Sequence, residues 1–435
     1  MRLNFISAAF AFALGAAAIA VSAEGFDNSR SDTFRQLELF GDVLSRVESD
    51  YVTEVDDAAL IEAAIEGMLE SLDPHSSYLS ADGFRDMQVT TRGEYGGLGM
   101  EVTIRDDMVT VISPMMDTPA ERSGMEPGDH IIAVDGESIV GWSLDDAVSL
   151  MRGAVGEPVT ITVMRDEEDP FDLTIVRDTI PLRTVAWREE DGFAYLRLAG
   201  FNEHTTETLT RTIGEIREAF DGEVPGIVLD MRYNPGGLLD QAVSVGDIFL
   251  DGGEVVSTRY RNPRENQRYN ARPGEMLRNV PIVVLINEGS ASAAEIVAGA
   301  LRDRERATLV GMTSFGKGSV QTIIPLRGGH DGALRLTTGR YYTPSGQSIQ
   351  GTGITPDWLI SSRRFDVEEA EEGQQVSEAA LPNALENENG DERPVIDYAA
   401  VEQPPEDWAD NEDYQLHRAL EILRTMTGRE QASLN

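Results

Sequence analysis

Hydrophobic and polar positions divide the chain into stretches of different period. In Ser31 to Tyr51 the apolar residues Leu37, Phe40, Val43, Leu44 and Val47 recur at helical spacing. In Ala58 to Leu72 the residues Leu60, Ile61, Ile65 and Met68 do the same, so both stretches are expected to be amphipathic helices. Asp73-Pro74-His75 ends the second, because a proline disfavours helix in the residue before it. From Gly93 to Asp166 the pattern shortens to strands: Glu101 to Ile104, Met108 to Ile112, Ile131 to Ala133-Val134, and Val159 to Met164. Short helices are expected at Pro119 to Ser123 and Leu144 to Arg152, with turns at Pro127-Gly128 and Asp135-Gly136. From Phe193 strands and helices alternate, the sign of an α/β core. Expected strands are Phe193 to Leu198, Gly226 to Arg232, Val255 to Tyr260, Ile282 to Ile286, Thr308 to Val310 and Val320 to Ile324. Expected helices are Thr205 to Phe220, Leu238 to Leu250 and Ala291 to Arg302, with a polar, Arg-rich loop over Arg261 to Arg278. Arg363 to about Asp413 is acidic and rich in Glu, Asn and Pro, which reads as a flexible segment. Leu416 to Met426 reads as a final docked helix.

At 435 residues the chain is too long for one ordinary core. The boundaries that follow are 1–23 for an export signal, 24–90 for a helical region, 91–168 for the β-rich module, 169–362 for the α/β core and 363–435 for an acidic, partly disordered tail. The signal reading rests on Arg2, the apolar run Phe5 to Val21, and small residues Val21-Ser22-Ala23 before Glu24. It implies a body that works outside the cytoplasm, in the bacterial periplasm, with the apolar N-terminus able to hold it at the inner membrane.

A formal net charge of −40 argues against nucleic acid, whose recognition depends on neutralising phosphates. With no cysteine there is no disulfide, no thiolate nucleophile and no Cys-based zinc site. The five histidines show no metal-ligand spacing. No metal or other cofactor is expected. His75 is expected to serve its own turn rather than chemistry.

Lys317 is the one lysine among 36 basic residues. Arginine replaces lysine wherever only a solvated charge is needed, but it cannot supply a neutral amine near pH 7. Compositional drift toward arginine would explain the scarcity, yet not the position of the survivor. Lys317 sits in the small-residue turn Ser314-Phe315-Gly316-Lys317-Gly318 between apolar runs. Upstream, the strand Pro281 to Asn287 leads into Glu288-Gly289-Ser290-Ala291-Ser292-Ala293-Ala294-Glu295, which continues as helix. A serine at such a junction feels the positive end of the helix dipole, and the next N–H can face a developing oxyanion. Ser290 can cap the helix while Ser292 reacts. With no histidine in a triad context, a desolvated Lys317 is the candidate general base for Ser292. If the chain is extended from Lys317, then Ser319 and Gln321 share its face, and Gln321 can orient the amine without adding charge.

The Gly93–Asp166 module, with Gly96-Gly97-Leu98-Gly99-Met100 and Pro127-Gly128-Asp129 through Asp135-Gly136, resembles a PDZ domain. Its glycine-rich backbone at Gly97, Leu98 and Gly99 can turn N–H groups onto a terminal carboxylate, and the strand that follows can accept an added peptide strand. Met100 and Val102 would line a pocket for an apolar last side chain. The alternative is that the glycines only make a hairpin turn.

Across about residues 31–360 the chain resembles the carboxyl-terminal processing peptidases, or tail-specific proteases. The resemblance lies in the helical N-terminal segment, the PDZ-like module, Ser-Ala-Ser-Ala-x-Glu (290–295), Phe-Gly-Lys-Gly-x-Val-Gln (315–321) and Tyr341-Tyr342-Thr343-Pro344-Ser345-Gly346. It implies a multidomain α/β protein with a crotonase-like catalytic core. It implies Ser292 as nucleophile, Lys317 as base and Gln321 as support, with oxyanion donors from the N–H of Ala293 and of Gly236 or Gly237. The substrates would be proteins with exposed apolar C-termini. Further candidate partners are a second copy of the chain and an adaptor protein. A rival reading of Gly311 to Lys317 as a phosphate-binding loop fails at Gly318, where Ser or Thr is needed, and at the strand that follows instead of a helix. A non-enzymatic PDZ adaptor would be expected to lack Ser292 or Lys317, and both are present.

Overall fold

The computed structural model describes residues 32–105, 107–165, 169–372, 376–409 and 411–428. The export-signal reading of residues 1–23 lies outside the described residues. Two compact units divide the chain, residues 1–71 and 72–435.

The first unit holds helix α1 (32–50) and helix α2 (Asp57–Glu70). Asp56 caps α2 by accepting the N–H of Ala58 at 2.8 Å. Phe34, Leu37, Phe40 and Val43 of α1 are exposed.

The second unit begins with β1 (Ser77–Leu79), helix α3 (Ala81–Arg92) and β2 (Glu94–Gly97). A β-module follows, built from β3 (Met100–Arg105), β4 (Met108–Pro114), helix α4 (Pro119–Arg122), β5 (His130–Val134), β6 (Glu137–Ser138), helix α5 (Leu144–Met151), β7 (Pro158–Met164) and β8 (Phe171–Val176). Its sheet runs in the order β3-β4-β5-β7-β8, so β3 is an edge strand. The expected module stops at residue 168, whereas β8 adds a further strand paired in full register with β7. β9 (Asp178–Pro181) then pairs with β2.

The α/β core contains β10 (Val185–Glu190), β11 (Phe193–Leu198), α6 (Thr205–Ala219), β12 (Ile227–Asp230), α7 (Leu239–Phe249), β13 (Gly253–Tyr260), β14 (Gln267–Ala271), β15 (Ile282–Ile286), α8 (Ala293–Asp303), β16 (Thr308–Gly311), β17 (Ser319–Pro325), β18 (Ala333–Tyr342) and β19 (Trp358–Leu359). One sheet has the order β10-β11-β12-β15-β16-β19, parallel from β11 onward. Its central strands are apolar runs, apart from Asp230 at the end of β12, because both faces are covered: every residue of β12 and β15 is buried. Helices α6, α7 and α8 pack on one face. A second sheet joins β14, β13, β18 and β1, with β17 also paired to β18. The expected polar loop over 261–278 is corrected here, since it turns back as β14 along β13.

The stretch expected to be flexible, 363 to about 413, differs in part, and the docked helix expected at Leu416 to Met426 is present. Helix α9 (Val367–Glu372) is followed by irregular chain with short helical turns, and helix α10 (Tyr414–Met426) closes it. Leu416, Leu420 and Leu423 of α10 are buried against Tyr195, Val228, Val283 and Leu285 on the other face of the parallel sheet. The tail is therefore a structural layer. A parallel sheet with two apolar faces requires one, and burial of three leucines at about 1.5–3 kcal/mol each holds the helix there.

Candidate active site

Strands β12 and β15 are parallel neighbours, so the turns at their carboxyl ends emerge side by side. From β15 the chain passes through Asn287 to Ser292, the N-cap of α8, which has φ 53° and ψ −113°. A positive φ is costly for a side chain with a Cβ, and on a strand-to-helix turn it is a geometry that displays a candidate nucleophile. Ser292 is 9 % exposed. Ser290 is not the cap: its hydroxyl donates to the Met231 carbonyl at 2.8 Å and accepts the Asn287 N–H at 2.9 Å, pinning the turn.

The turn after β12 packs against this serine. Gly236 has φ 95°, and a Cβ there would lie 2.8 Å from the Ala291 carbonyl and the Ala293 nitrogen and 2.9 Å from Ser292 Cβ. Only glycine fits. Ala291 donates its N–H to the Asn234 carbonyl at 2.9 Å, and Asn234 Oδ1 accepts the Gly236 N–H at 2.9 Å. The Gly236 N–H is thus committed. The N–H groups of Gly237 and Ala293 have no acceptor among the described residues.

Lys317 lies in the loop between β16 and β17, two residues before β17 begins, so the extended run considered from Lys317 starts only at Ser319. The loop is held on the nucleophile turn by the Phe315 N–H donating to the Ser290 carbonyl at 3.0 Å. It is held further by Glu295, whose side chain is wholly buried. Glu295 Oε1 accepts from Ser314 Oγ at 2.5 Å and from the Gly316 N–H at 2.7 Å. Glu295 Oε2 accepts from the N–H of Ser292 and of Lys317, both at 2.8 Å. One carboxylate oxygen therefore joins the main chains of serine and lysine. Burial pushes the Glu295 carboxyl up to about 7, against the pull of these four donors.

Burial, then the nearby Arg335, holds the Lys317 amine below its usual range, while Glu378, Glu295 and Asp73 act in the opposite sense. That is the direction a base needs. No hydrogen bond runs directly between Ser292 Oγ and Lys317 Nζ, and Lys317 forms no ion pair among the described residues. Gln321 does not reach the amine. A register shift falls between Val320 and Gln321, and the Gln321 amide donates to Ser319 Oγ at 2.9 Å and Thr337 Oγ1 at 3.3 Å. The expected contact by which Gln321 orients Lys317 is not among the hydrogen bonds of the described residues.

Sequence reasoning passed over Glu295 as a functional group, although it falls within the Ser-Ala-Ser-Ala-x-Glu stretch. It also passed over Asp230 and Arg232. Arg232 is 8 % exposed and bridges Asp230, at 2.6 Å, to Asp413 in the tail, also at 2.6 Å. Tyr195 and Arg197 complete the shell of Asp230. Two charges spaced i, i+2 at the end of an otherwise apolar strand were the available signal.

In the β-module the Leu98 carbonyl accepts from Ala120, and the Gly99 carbonyl accepts from Met115 and from Thr118 Oγ1. The N–H groups of Leu98 and Gly99 have no acceptor among the described residues. Beside them a small pocket is lined by Tyr95, Gly97, Met100, Val102, Val148 and Met151. Arg152 lies over the Tyr95 ring at 4.6 Å.

A displayed serine, uncommitted amides beside it and a separate peptide-groove module describe a serine-type peptidase. Comparison with known proteins agrees. Residues 192–360 match the model of peptidase family S41, residues 86–164 that of the PDZ domain, and residues 12–83 that of the activating protease CtpB N-terminal domain. The chain is 47 % identical over 415 residues to the carboxy-terminal-processing protease of Bartonella bacilliformis, covering 94 % of this chain and 93 % of that one. It is 35 % identical over 314 residues to the carboxy-terminal processing protease CtpA of Bacillus subtilis, covering 72 % and 66 %. Among solved structures, the photosystem II D1 C-terminal processing protease aligns with TM-score 0.43 and 28 % identity, over 76 % of this chain and 95 % of that one. The chain belongs to the carboxy-terminal-processing proteases of peptidase family S41. Residues 86–164 are its PDZ domain.

Proposed function

We propose that the protein is an exported serine endopeptidase that takes exposed, apolar C-terminal tails in its PDZ groove and cuts peptide bonds with a Ser292–Lys317 dyad. The observation that carries the dyad is the shared oxygen of Glu295, which gathers the Ser292 and Lys317 main chains around one point. Neutral Lys317 takes the Ser292 proton as Oγ attacks the scissile carbonyl carbon. The negative charge collects on the carbonyl oxygen, toward the N–H groups of Ala293 and Gly237. Collapse of that intermediate breaks the C–N bond, and Lys317 returns its proton to the leaving amine. Water, deprotonated by the same amine, then releases the acyl group from Ser292. Gly237 is preferred to Gly236 as donor because the Gly236 N–H is held by Asn234.

Tail capture draws on the unpaired edge of β3 and the open N–H groups of Leu98 and Gly99, which suit a strand ending in a carboxylate. Export rests on the N-terminal sequence. The test compares wild type, Ser292→Ala, Lys317→Arg and Gln321→Ala on an unfolded protein with an apolar tail. Turnover retained by Lys317→Arg sinks the dyad, since a guanidinium does not accept the proton at neutral pH. Equal cleavage of amidated and free tails sinks recognition through the PDZ groove.

A further inference from the structure

The His75 ring reaches beyond its own turn, in which the His75 N–H donates to Asp73 Oδ1 at 2.9 Å. Its Nε2 lies 2.7 Å from Glu378 Oε2, a carboxylate 303 residues away in the C-terminal segment. Glu378 is 1 % exposed. Its remaining contacts lead to the two sides of Lys317. Its N–H donates to the Phe315 carbonyl at 2.9 Å, two residues before the lysine. Its Oε1 accepts from Gln350 Nε2 at 3.0 Å, and Gln350 Oε1 accepts the Gly318 N–H at 3.1 Å, one residue after the lysine. Arg393, in the same segment, donates to the carbonyls of Ser314 and Phe315 at 2.9 and 3.2 Å.

The turn that carries His75 has a second arm. Asp73, 3 % exposed, accepts from Ser76 Oγ at 2.6 Å and from Thr337 Oγ1 at 2.9 Å, and Thr337 Oγ1 receives the Gln321 amide. One turn thus reaches Gln321 through Asp73 and Thr337, and the Lys317 loop through His75, Glu378 and Gln350. These contacts join three distant parts of the chain at the lysine. Surface packing does not require such a convergence of buried polar groups, each costly if left unpaired.

We propose that His75 and Glu378 form a clamp that holds the Lys317 loop in its working position, which makes them positioning residues for the reaction and makes the C-terminal segment part of the catalytic apparatus. The proposal rests on Lys317 being the base. Charged groups acting on the amine are Arg335, Glu378, Glu295 and Asp73, of which the three carboxylates favour its protonated form. Removing the Glu378 charge therefore moves the amine further down, and with it the pH at which turnover appears.

The test uses the full chain. Turnover of an unfolded tailed substrate is measured across pH for wild type, His75→Ala, His75→Gln, Glu378→Ala, Glu378→Gln and Lys317→Ala. Melting temperature and affinity for a tail peptide are recorded for each. The expected result is a fall in kcat of tenfold or more in His75→Ala and Glu378→Ala, with KM and tail affinity within twofold of wild type. His75→Gln, which keeps a donor, recovers much of the loss. Glu378→Gln shifts the acid limb to lower pH. Wild-type kcat in folded Glu378→Ala overturns the clamp. So does a loss that only follows the fraction unfolded and leaves the acid limb in place. If His75→Gln is as impaired as His75→Ala, a hydrogen-bond donor at this position does not hold the loop, and the clamp is again wrong. Turnover by Lys317→Ala would instead refute the dyad, so the two failures are distinguishable.

Discussion

Glu295→Gln is the most discriminating single substitution in the core. The wild-type oxygens accept from four donors, two each. A glutamine offers one oxygen and one NH2, so one pair of donors must face another donor. If the NH2 replaces Oε2, the amides of Ser292 and Lys317 both lose their acceptor. If it replaces Oε1, the Ser314 hydroxyl, which also accepts the Ile354 N–H at 2.7 Å, can turn to accept the NH2, and the Ser314 O–H and the Gly316 N–H lose their acceptor. The second arrangement is the cheaper, since the NH2 finds a partner. It leaves two buried donors unsatisfied, a cost of about 1–3 kcal/mol each. Loss of the charge itself adds little, because burial already lifts the carboxyl to about 7. The melting temperature should fall by about 2–4 °C for each kcal/mol. Turnover should fall more steeply, by about 100-fold, since a displacement near 1 Å between serine and lysine is enough for that. The pH dependence has a definite sign. The folded-state pKa is raised, so this group's contribution to stability is complete below the unfolded value of 4.5 and is lost as pH rises through about 7. The gap in stability between wild type and Glu295→Gln should therefore narrow or reverse on the alkaline side of 7. Thermal melts at pH 5, 7 and 9, with kcat on a tailed substrate, test this. Wild-type melting and wild-type kcat together in Glu295→Gln would refute the role given to the shared oxygen.

Other outcomes follow from the same geometry. Lys317→Arg should lose about 10²–10⁴ in kcat while Ser292-dependent fold and tail binding persist, as measured by steady-state kinetics and peptide anisotropy. In wild type, activity should fall as pH drops through the lowered pKa of Lys317, because the base must be neutral to act. Gly236→Ala should abolish turnover by pushing Ala291 and Ala293 away from a Cβ that has no room, with tail affinity unchanged. Asp413→Ala removes one of the two carboxylates on Arg232. Its cost should be about 1–3 kcal/mol in a denaturant titration, discounted because Asp413 is partly exposed. Burial raises the Asp413 pKa, but the hydrogen bond and charge of Arg232, with the Leu416 N–H and the more distant Arg188, together outweigh it and the net direction is down. The stability Asp413 provides should be present above about pH 4 and lost on acidification through its depressed pKa. Gly99→Ala sets a Cβ 2.3 Å from Thr118 Cβ at a φ of 78°, and should weaken tail binding at least tenfold by calorimetry.

How far the chain is legible depends on how local the signal is. The strands and helices of the core follow from runs such as Ile282 to Ile286, where every residue is apolar and buried, and from the glycine turns that end them. Ser292 and Lys317 stood out by residue type and turn context. What was misread depends on contacts across the chain. Composition reads 363 to about 413 as flexible, yet Glu378 and Arg393 in that stretch are tied to the main chain around Lys317. The docked helix over Leu416 to Met426 is legible from its own period, and the buried run Ile227 to Leu229, which demands cover on both sides, says what it docks against. Gln321 was placed by assuming a regular strand from Lys317, and the register shift after Val320 defeats that assumption.

The acidic tail and the lone lysine turn out to answer one physical problem. A neutral amine requires burial, and burial of a loop rich in glycine requires partners for every main-chain group it carries. Glu295 takes the N–H groups of Gly316 and Lys317, Gln350 takes that of Gly318, and the tail supplies Glu378 and Arg393 to the carbonyl of Phe315. Burial depresses the amine, and the carboxylates used for this pull it back toward its charged form, so their number and distance limit that depression. Glu378 is paired with His75, and Glu295 spends its charge on four donors. Each acidic group near Lys317 is thereby committed to the main chain or to another side chain rather than to the amine. A solvated surface lysine would need none of this, and under the proposed dyad the need for a neutral amine is the reason an arginine-rich chain keeps its one lysine here.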